Sequence, residues 1–217
     1  MKNIKGAIFD VDGTLLDSMQ IWASVGYGYL NSLGLKPTAE LFEAISARNG
    51  VEASVYLQAM YSMDGFDIKP EDWRARMTEH IYLDGVTVKN GALQVLEMLV
   101  SRGIGVCAAT ATGRHLVEPA LNKCGLSRYI SRIFTCGEES TNKRSPVIFI
   151  RAATFLGTDI CDTLVVEDSL HALQTVKNAG FLTTGVWDLA SADQQDEIIK
   201  VCDYYCRSLE ELPALLQ

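Results

Sequence analysis

The stretch Gly6-Ala7-Ile8-Phe9-Asp10-Val11-Asp12-Gly13-Thr14 decides the fold. It opens apolar, meets an acid at Asp10, and passes at once into a polar turn, Asp12-Gly13-Thr14. A short apolar run closed by turn residues reads as a buried strand opening into a loop. Beyond it, Asp17 and Ser18 are placed to cap a helix whose apolar positions Trp22, Val25, Tyr29 and Leu33 share one face, with Gly34 as its stop. Helical patterns continue around residues 39–48, 51–62 and 70–84, the last opened by Pro70, Glu71 and Asp72. Strand signals are scarce in this segment.

From about residue 88 the rhythm changes. Helical patterns over 90–102, 113–124, 146–156 and from 168 to 179 alternate with apolar runs over 104–110, 133–136, 163–168, 181–187 and 204–206. Gly103, Gly125, Gly157 and Gly180 stand at the helix ends. Ser145 is the expected cap of the 146–156 helix, and Pro119 is expected to kink the 113–124 helix or delay its start. Strands and helices in alternation give an α/β, Rossmann-like fold: a parallel sheet with helices on both faces. The helical stretch interrupts this pattern after the first strand. The expected division is a core of residues 1–16 and 89–217 with an inserted helical cap domain, residues 17–88.

The length of 217 residues suits one large domain, or a medium one with a small companion. With 27 acidic against 19 basic side chains, the net charge is −8. A surface this acidic opposes binding to nucleic acid or to anionic lipid, both of which require clustered Lys and Arg. The six cysteines form no C-x-x-C pair, and the expectation is reduced thiols in a cytoplasmic protein. The N-terminal apolar stretch is cut by Asp10, unlike a signal peptide, and no apolar run approaches a membrane span. His80, His115 and His171 lack the spacing of a zinc site.

In doubly wound sheets, ligands bind outside the carboxyl ends of the strands. Asp10 and Asp12 follow the first strand, Thr110 ends the second, and Glu167 and Asp168 end the fourth. Lys143 opens the helix that precedes the fourth strand. Adjacent strands would gather these side chains into a small volume. Each pair of carboxylates about 4 Å apart then costs roughly 4 kcal/mol at an effective dielectric near 20. Such a cluster persists with a cation or with shifted pKa values. Oxygen-only ligands select a hard ion, and Mg²⁺ suits a phosphate substrate.

The run Asp10-Val11-Asp12-Gly13-Thr14-Leu15-Leu16-Asp17-Ser18 resembles the first motif of the haloacid dehalogenase-like hydrolases. Thr110 resembles their second motif, Lys143 their third and Glu167-Asp168-Ser169 their fourth, and the likeness spans nearly the whole chain. The inserted segment is similar to the helical cap of the branch that holds β-phosphoglucomutases and phosphoglycolate-type phosphatases. The resemblance implies a phosphatase that acts on a small phosphorylated metabolite through an aspartyl-phosphate, with Mg²⁺ as cofactor and a monomer as the default state. It implies Asp10 as nucleophile and Asp12 as acid and base. Thr110 would bind a phosphoryl oxygen, with the amides of Ala111 and Thr112 at the start of the next helix as further donors. Lys143 would balance charge. The metal would be held by Asp10, Asp168 and the carbonyl of Asp12, with Glu167 acting through a water or on Lys143. Arg48 stands where some relatives bind the distal anionic group of the substrate. Trp22 stands near the place where hexose-phosphate mutases of the branch carry a histidine, which favours hydrolysis over the alternative of a phosphomutase. A receiver-like phospho-acceptor module is a further alternative, disfavoured by D-x-D-G-T on the first strand and by the helical segment.

Overall fold

The computed structural model of the chain describes residues 4–32, 38, 40, 41, 44, 50–61 and 79–216. The expected helix over 39–48 falls largely, and the part over 70–78 of the expected helix 70–84 wholly, outside these residues, as do Leu33, Gly34 and Arg48 and the side chains of Val25 and Tyr29. Elements are numbered as described: β1 (Gly6–Phe9), β2 (Leu16–Asp17), α1 (Met19–Ser32), α2 (Gly50–Tyr61), α3 (Glu79–Gly85) and β3 (Thr87–Val88). Then follow α4 (Ala92–Ser101), β4 (Gly105–Thr110), α5 (Arg114–Lys123), β5 (Arg132–Thr135), α6 (Val147–Leu156) and β6 (Thr163–Glu167). The chain closes with α7 (Leu170–Asn178), β7 (Leu182–Val186), α8 (Gln195–Val201), β8 (Tyr204–Cys206) and α9 (Leu212–Leu215).

Six strands form one parallel sheet in the order β5-β4-β1-β6-β7-β8. The two-residue period of a strand sorts β1 between the faces. Ala7 and Phe9 join a cluster with Val106, Ala108, Leu164 and Val166, covered by Leu96 and Leu99 of α4 and Leu121 of α5. Ile8 joins the opposite cluster with Cys107, Ala109 and Val165, covered by Phe149 of α6 and Val176 of α7. Both faces are therefore dry, which is why the strands read as unbroken apolar runs. Each large apolar side chain fully withdrawn here contributes about 1.5–3 kcal/mol.

Chain order makes β1 the centre. β4 pairs on one side of it and β6 on the other, with Phe9 opposite both Ala108 and Val166. The order of strands reverses here, opening a crevice above the ends of β4, β1 and β6.

Several local expectations change. Residues 16–17 and 87–88, at the two ends of the expected insertion, form a small antiparallel ladder, Leu16 opposite Val88 and Asp17 opposite Thr87. The intervening segment thus leaves and returns at one place. Two-residue strands are too short to show a period. Pro146 occupies the N-cap of α6 with φ −74°, and the expected Ser145 caps from one residue before it, its Oγ accepting the Val147 amide at 3.5 Å. The proline ring fixes φ near its helical value. α5 runs from Arg114 to Lys123 with Pro119 inside it, anchored by buried Val117 and Leu121. Among the described residues, no helix is long and apolar enough to cross a membrane, and the six cysteines are not joined in disulfides.

Candidate active site

The loop after β1 is wound tightly on its own backbone. Asp10 donates its N–H to the Val166 carbonyl at 3.0 Å, while the amides of Leu15 and Leu16 both reach the Val11 carbonyl, at 2.9 and 2.8 Å. Gly13 has φ +85°, and a Cβ built there would lie 2.4 Å from Asp168 Oδ2. A side chain at position 13 is excluded twice, by backbone conformation and by the acid beyond it. The glycine of D-x-D-G-T is what lets the loop close over the end of β6.

One half of the site is ionic. Carboxylate oxygens of Asp10, Glu167 and Asp168, all three buried, lie within 4.8 Å of one another. Lys143 reaches into this group, donating to Asp10 Oδ1 and, at 2.5 Å, to Glu167 Oε1. The other oxygen of Glu167 accepts from the amides of Asp168 and Ser169, each at 2.9 Å, and from Ser169 Oγ at 2.8 Å. Glu167 is thereby committed to Lys143 and to the turn into α7. Thr14 Oγ1 donates to Asp168 Oδ1 at 3.2 Å.

Three acids with one lysine leave negative charge uncompensated. Burial, opposed by Lys143 and reinforced by Glu167, pushes the Asp10 carboxyl up to about 8. Burial, with Glu167 and Asp10 adding repulsion, holds Asp168 well above the ordinary carboxylate range. Burial also works against charge on Glu167, but Lys143 prevails and holds it low. Lys143 is desolvated as well, yet its two carboxylate partners raise its pKa and keep it an ammonium. The donor set is all oxygen, compact and short of positive charge, and these are the properties a hard divalent cation fits.

The other half is held by neutral donors. Asp12 Oδ1 accepts from Ser18 Oγ at 2.6 Å, Tyr82 Oη at 2.6 Å and Trp22 Nε1 at 3.1 Å. Its Oδ2 accepts from Thr112 Oγ1 at 2.6 Å. Trp22 and Tyr82 also touch each other, with ring centroids 5.7 Å apart. Tyr82 is fully buried. Burial first, then the negative charge and hydrogen bond of Asp12, raise the Tyr82 phenol well above its ordinary pKa, so it stays a donor.

Thr110 ends β4 and is buried. Its Oγ1 accepts the Thr112 amide at 3.0 Å. That amide is thus engaged within the turn, contrary to the expectation of a donor at a helix start, because α5 begins later, at Arg114. Ala111 is half-buried and packs against the second core cluster. Arg114 turns aside to Glu138, at 2.6 and 2.8 Å, and to the Ile133 carbonyl at 2.7 Å. Arg48 lies outside the described residues.

Of the residues singled out in the sequence, the structure brings together Asp10, Asp12, Thr110, Thr112, Lys143, Glu167, Asp168 and Trp22. Sequence reasoning missed Tyr82, whose partner is 70 positions away. Ser18 does stand directly before α1, its carbonyl accepting the Ile21 and Trp22 amides, but sequence reasoning missed that its hydroxyl donates to Asp12. Periodicity carries no signal for a contact of that span.

A parallel α/β sheet with a strand-end acid cluster around one lysine defines the class: a hydrolase of the doubly wound type. The chain belongs to the haloacid dehalogenase-like hydrolase family, whose sequence model matches residues 7–186. It is 27% identical over 192 residues to a phosphoglycolate phosphatase of Neisseria meningitidis, covering 86% of this chain and 81% of the relative. It is 24% identical over 224 residues to hexitol phosphatase B of Escherichia coli K12, covering 98% and 96%. In fold it is similar to a β-phosphoglucomutase of Clostridium difficile, with a TM-score of 0.79 at 18% identity over 96% of this chain and 93% of the other.

Proposed function

We propose that the chain is a Mg²⁺-dependent phosphatase that hydrolyses a small phosphomonoester, with sugar phosphates as the leading class, through an aspartyl-phosphate on Asp10. The observation that carries this reading is the pairing of two unlike acids on one loop: Asp10 in the ionic cluster with Glu167 and Asp168, and Asp12 among neutral donors. An in-line transfer needs both a nucleophile that is ionised, which Lys143 and a bound cation favour at Asp10, and a separate acid for the leaving oxygen.

In the first step Asp10 attacks phosphorus and the leaving oxygen takes a proton from Asp12. In the second, Asp12 takes a proton from the water that hydrolyses the acyl-phosphate, and Asp10 is restored. Thr110 binds a phosphoryl oxygen through its hydroxyl, whose oxygen already holds the Thr112 amide. Lys143 holds Asp10 oriented and offsets its charge. Asp10, Asp168 and the backbone carbonyl of Asp12 would hold Mg²⁺, with Glu167 supporting from Lys143. When bound, the ion offsets charge on the cluster and on the transferring oxygens.

We further propose that residues 17–88 act as a helical cap domain that selects the leaving group, a role supported by the β2–β3 ladder where the segment leaves and rejoins the core. The names of the relatives, phosphatases of phosphoglycolate and of hexitol phosphates, support a small anionic substrate. The protein is read as a cytoplasmic monomer.

The test is a phosphomonoester panel with Mg²⁺ that includes glucose 1-phosphate with and without glucose 1,6-bisphosphate. Release of inorganic phosphate from panel members, without bisphosphate, is the expected result. Isomerisation of glucose 1-phosphate that depends on the bisphosphate would replace hydrolysis by a phosphomutase. A long-lived phospho-Asp with no turnover would replace it by a receiver-like module.

A further inference from the structure

We propose that Tyr82 is a positioning residue for Asp12: with Trp22 and Ser18 it ties down Oδ1 of that carboxyl, so that Oδ2 is the oxygen that carries the transferable proton. This rests on the reading of Asp12 as the acid of phosphoryl transfer.

The donors are distributed unevenly. Oδ1 takes three, from Ser18, Tyr82 and Trp22, at 2.6, 2.6 and 3.1 Å. A carboxylate oxygen offers about two lone-pair directions, so three donors saturate it. One of them, the indole N–H, cannot reverse into an acceptor. Oδ2 has Thr112 Oγ1 at 2.6 Å, a hydroxyl that can turn and accept instead. A proton held by Asp12 therefore sits on Oδ2.

Tyr82 is the residue of this set whose polar group is most plainly devoted to the task. Its ring is fully buried in the cluster that backs β1 and packs beside Trp22. Packing alone would be met by phenylalanine. The hydroxyl spends its hydrogen bond on an acid at the end of the central strand, from a helix, α3, just before the chain rejoins the core.

In the step served, a bond forms between an Asp10 carboxylate oxygen and phosphorus while the bond from phosphorus to the leaving oxygen breaks. The proton on Asp12 Oδ2 moves to that leaving oxygen, which departs as an alcohol, and Asp12 is left as a carboxylate. A misaimed Asp12 harms this step in proportion to how much the leaving group needs its proton.

The experiment compares kcat/KM, which reports the first transfer, for a sugar phosphate and for p-nitrophenyl phosphate, whose phenolate leaves unprotonated. It uses the full chain with Mg²⁺, as wild type, Asp12→Asn, Tyr82→Phe and Trp22→Phe. Asp12→Asn is expected to lose about 10²–10⁴-fold on the sugar phosphate and under about tenfold on the aryl ester. Tyr82→Phe, lacking one of the donors that orient Asp12, is expected to lose about tenfold on the first and under about twofold on the second. Equal losses on both substrates, or no loss, in Tyr82→Phe would overturn the positioning role while leaving Asp12 as the acid. Equal losses in Asp12→Asn would instead overturn the acid reading, and the inference with it. If Tyr82→Phe does not fold by thermal melting, Trp22→Phe removes a donor from the same oxygen and is judged by the same ratio.

Discussion

Asp10 and Asp12 stand two residues apart on one loop, yet they are held by opposite means. Around Asp10 the forces are ionic: three buried carboxylates share one ammonium, and the arrangement is short of positive charge. Around Asp12 they are neutral: two hydroxyls, a phenol and an indole surround one acid. The sheet supplies the first set, from the ends of β1 and β6 and the turn before α6. The helical segment supplies most of the second, through α1 and α3. A charge-poor pocket gains from an added cation, whereas a donor-saturated acid gains nothing from one. The loop thus separates an ionic half from a neutral, donor-rich half.

That contrast can be broken from either side. The largest effect is expected on the ionic side: Asp10→Asn should lower turnover by at least about 10⁴-fold and abolish trapping of labelled phosphate on the protein. Near-normal turnover in that variant would remove Asp10 as nucleophile. Next comes Lys143→Met, which leaves Asp10 and Glu167 facing each other without their shared cation. A loss of about 3–5 kcal/mol in urea unfolding is expected; a loss below about 1 kcal/mol would show that the cluster does not depend on it. Third, Mg²⁺ at about a hundredfold over its dissociation constant should add roughly 2.7 kcal/mol, or about 5–10 °C in Tm. Asp168→Asn should erase that shift.

The metal-free chain should also show a signed pH dependence. Asp10 titrates at about 8 in the folded chain against an ordinary 3.8, and Asp168 is raised as well, so the folded state binds more protons between those limits. Its stability therefore falls as pH rises through that window. Glu167, held low, contributes the opposite slope only below its ordinary 4.5. Urea midpoints for metal-free protein at about pH 5 and about pH 8 should differ in that sense, and excess Mg²⁺ should shrink the difference. The smallest effect belongs to the neutral side: Ser18→Ala removes one of three donors on a saturated oxygen. It should cost about 1 kcal/mol or less in stability and a few-fold in activity.

What the sequence reveals follows the same division. The ionic half is legible because its acids sit at or just past strand ends, with Lys143 in the turn before α6, and strands of this kind announce themselves as apolar runs. Parallel pairing then carries Asp10, Thr110, Glu167 and Asp168 to one edge by topology alone. The neutral half is not legible. Tyr82 and Trp22 look like ordinary helical core positions, and their polar atoms matter only because tertiary packing turns them toward Asp12. Thr112 was anticipated for its amide, but the amide closes a turn on Thr110 and the hydroxyl faces the acid. The two-residue strands β2 and β3 escape notice for a simpler reason: two residues carry no period.

The central place of β1 bears on the order in which the chain can assemble. It is made first, yet its neighbours are β4, beginning at Gly105, and β6, beginning at Thr163. Until those segments leave the ribosome, both edges of an apolar strand stay unpaired, a condition that invites association with other chains. Contacts of such long sequence separation also form slowly. Asp10 meets Lys143 and Glu167 only after β6 has docked beside β1, so an unfinished chain carries Asp10 without its electrostatic setting. Activity would then arrive in one stroke, with the closing of the sheet.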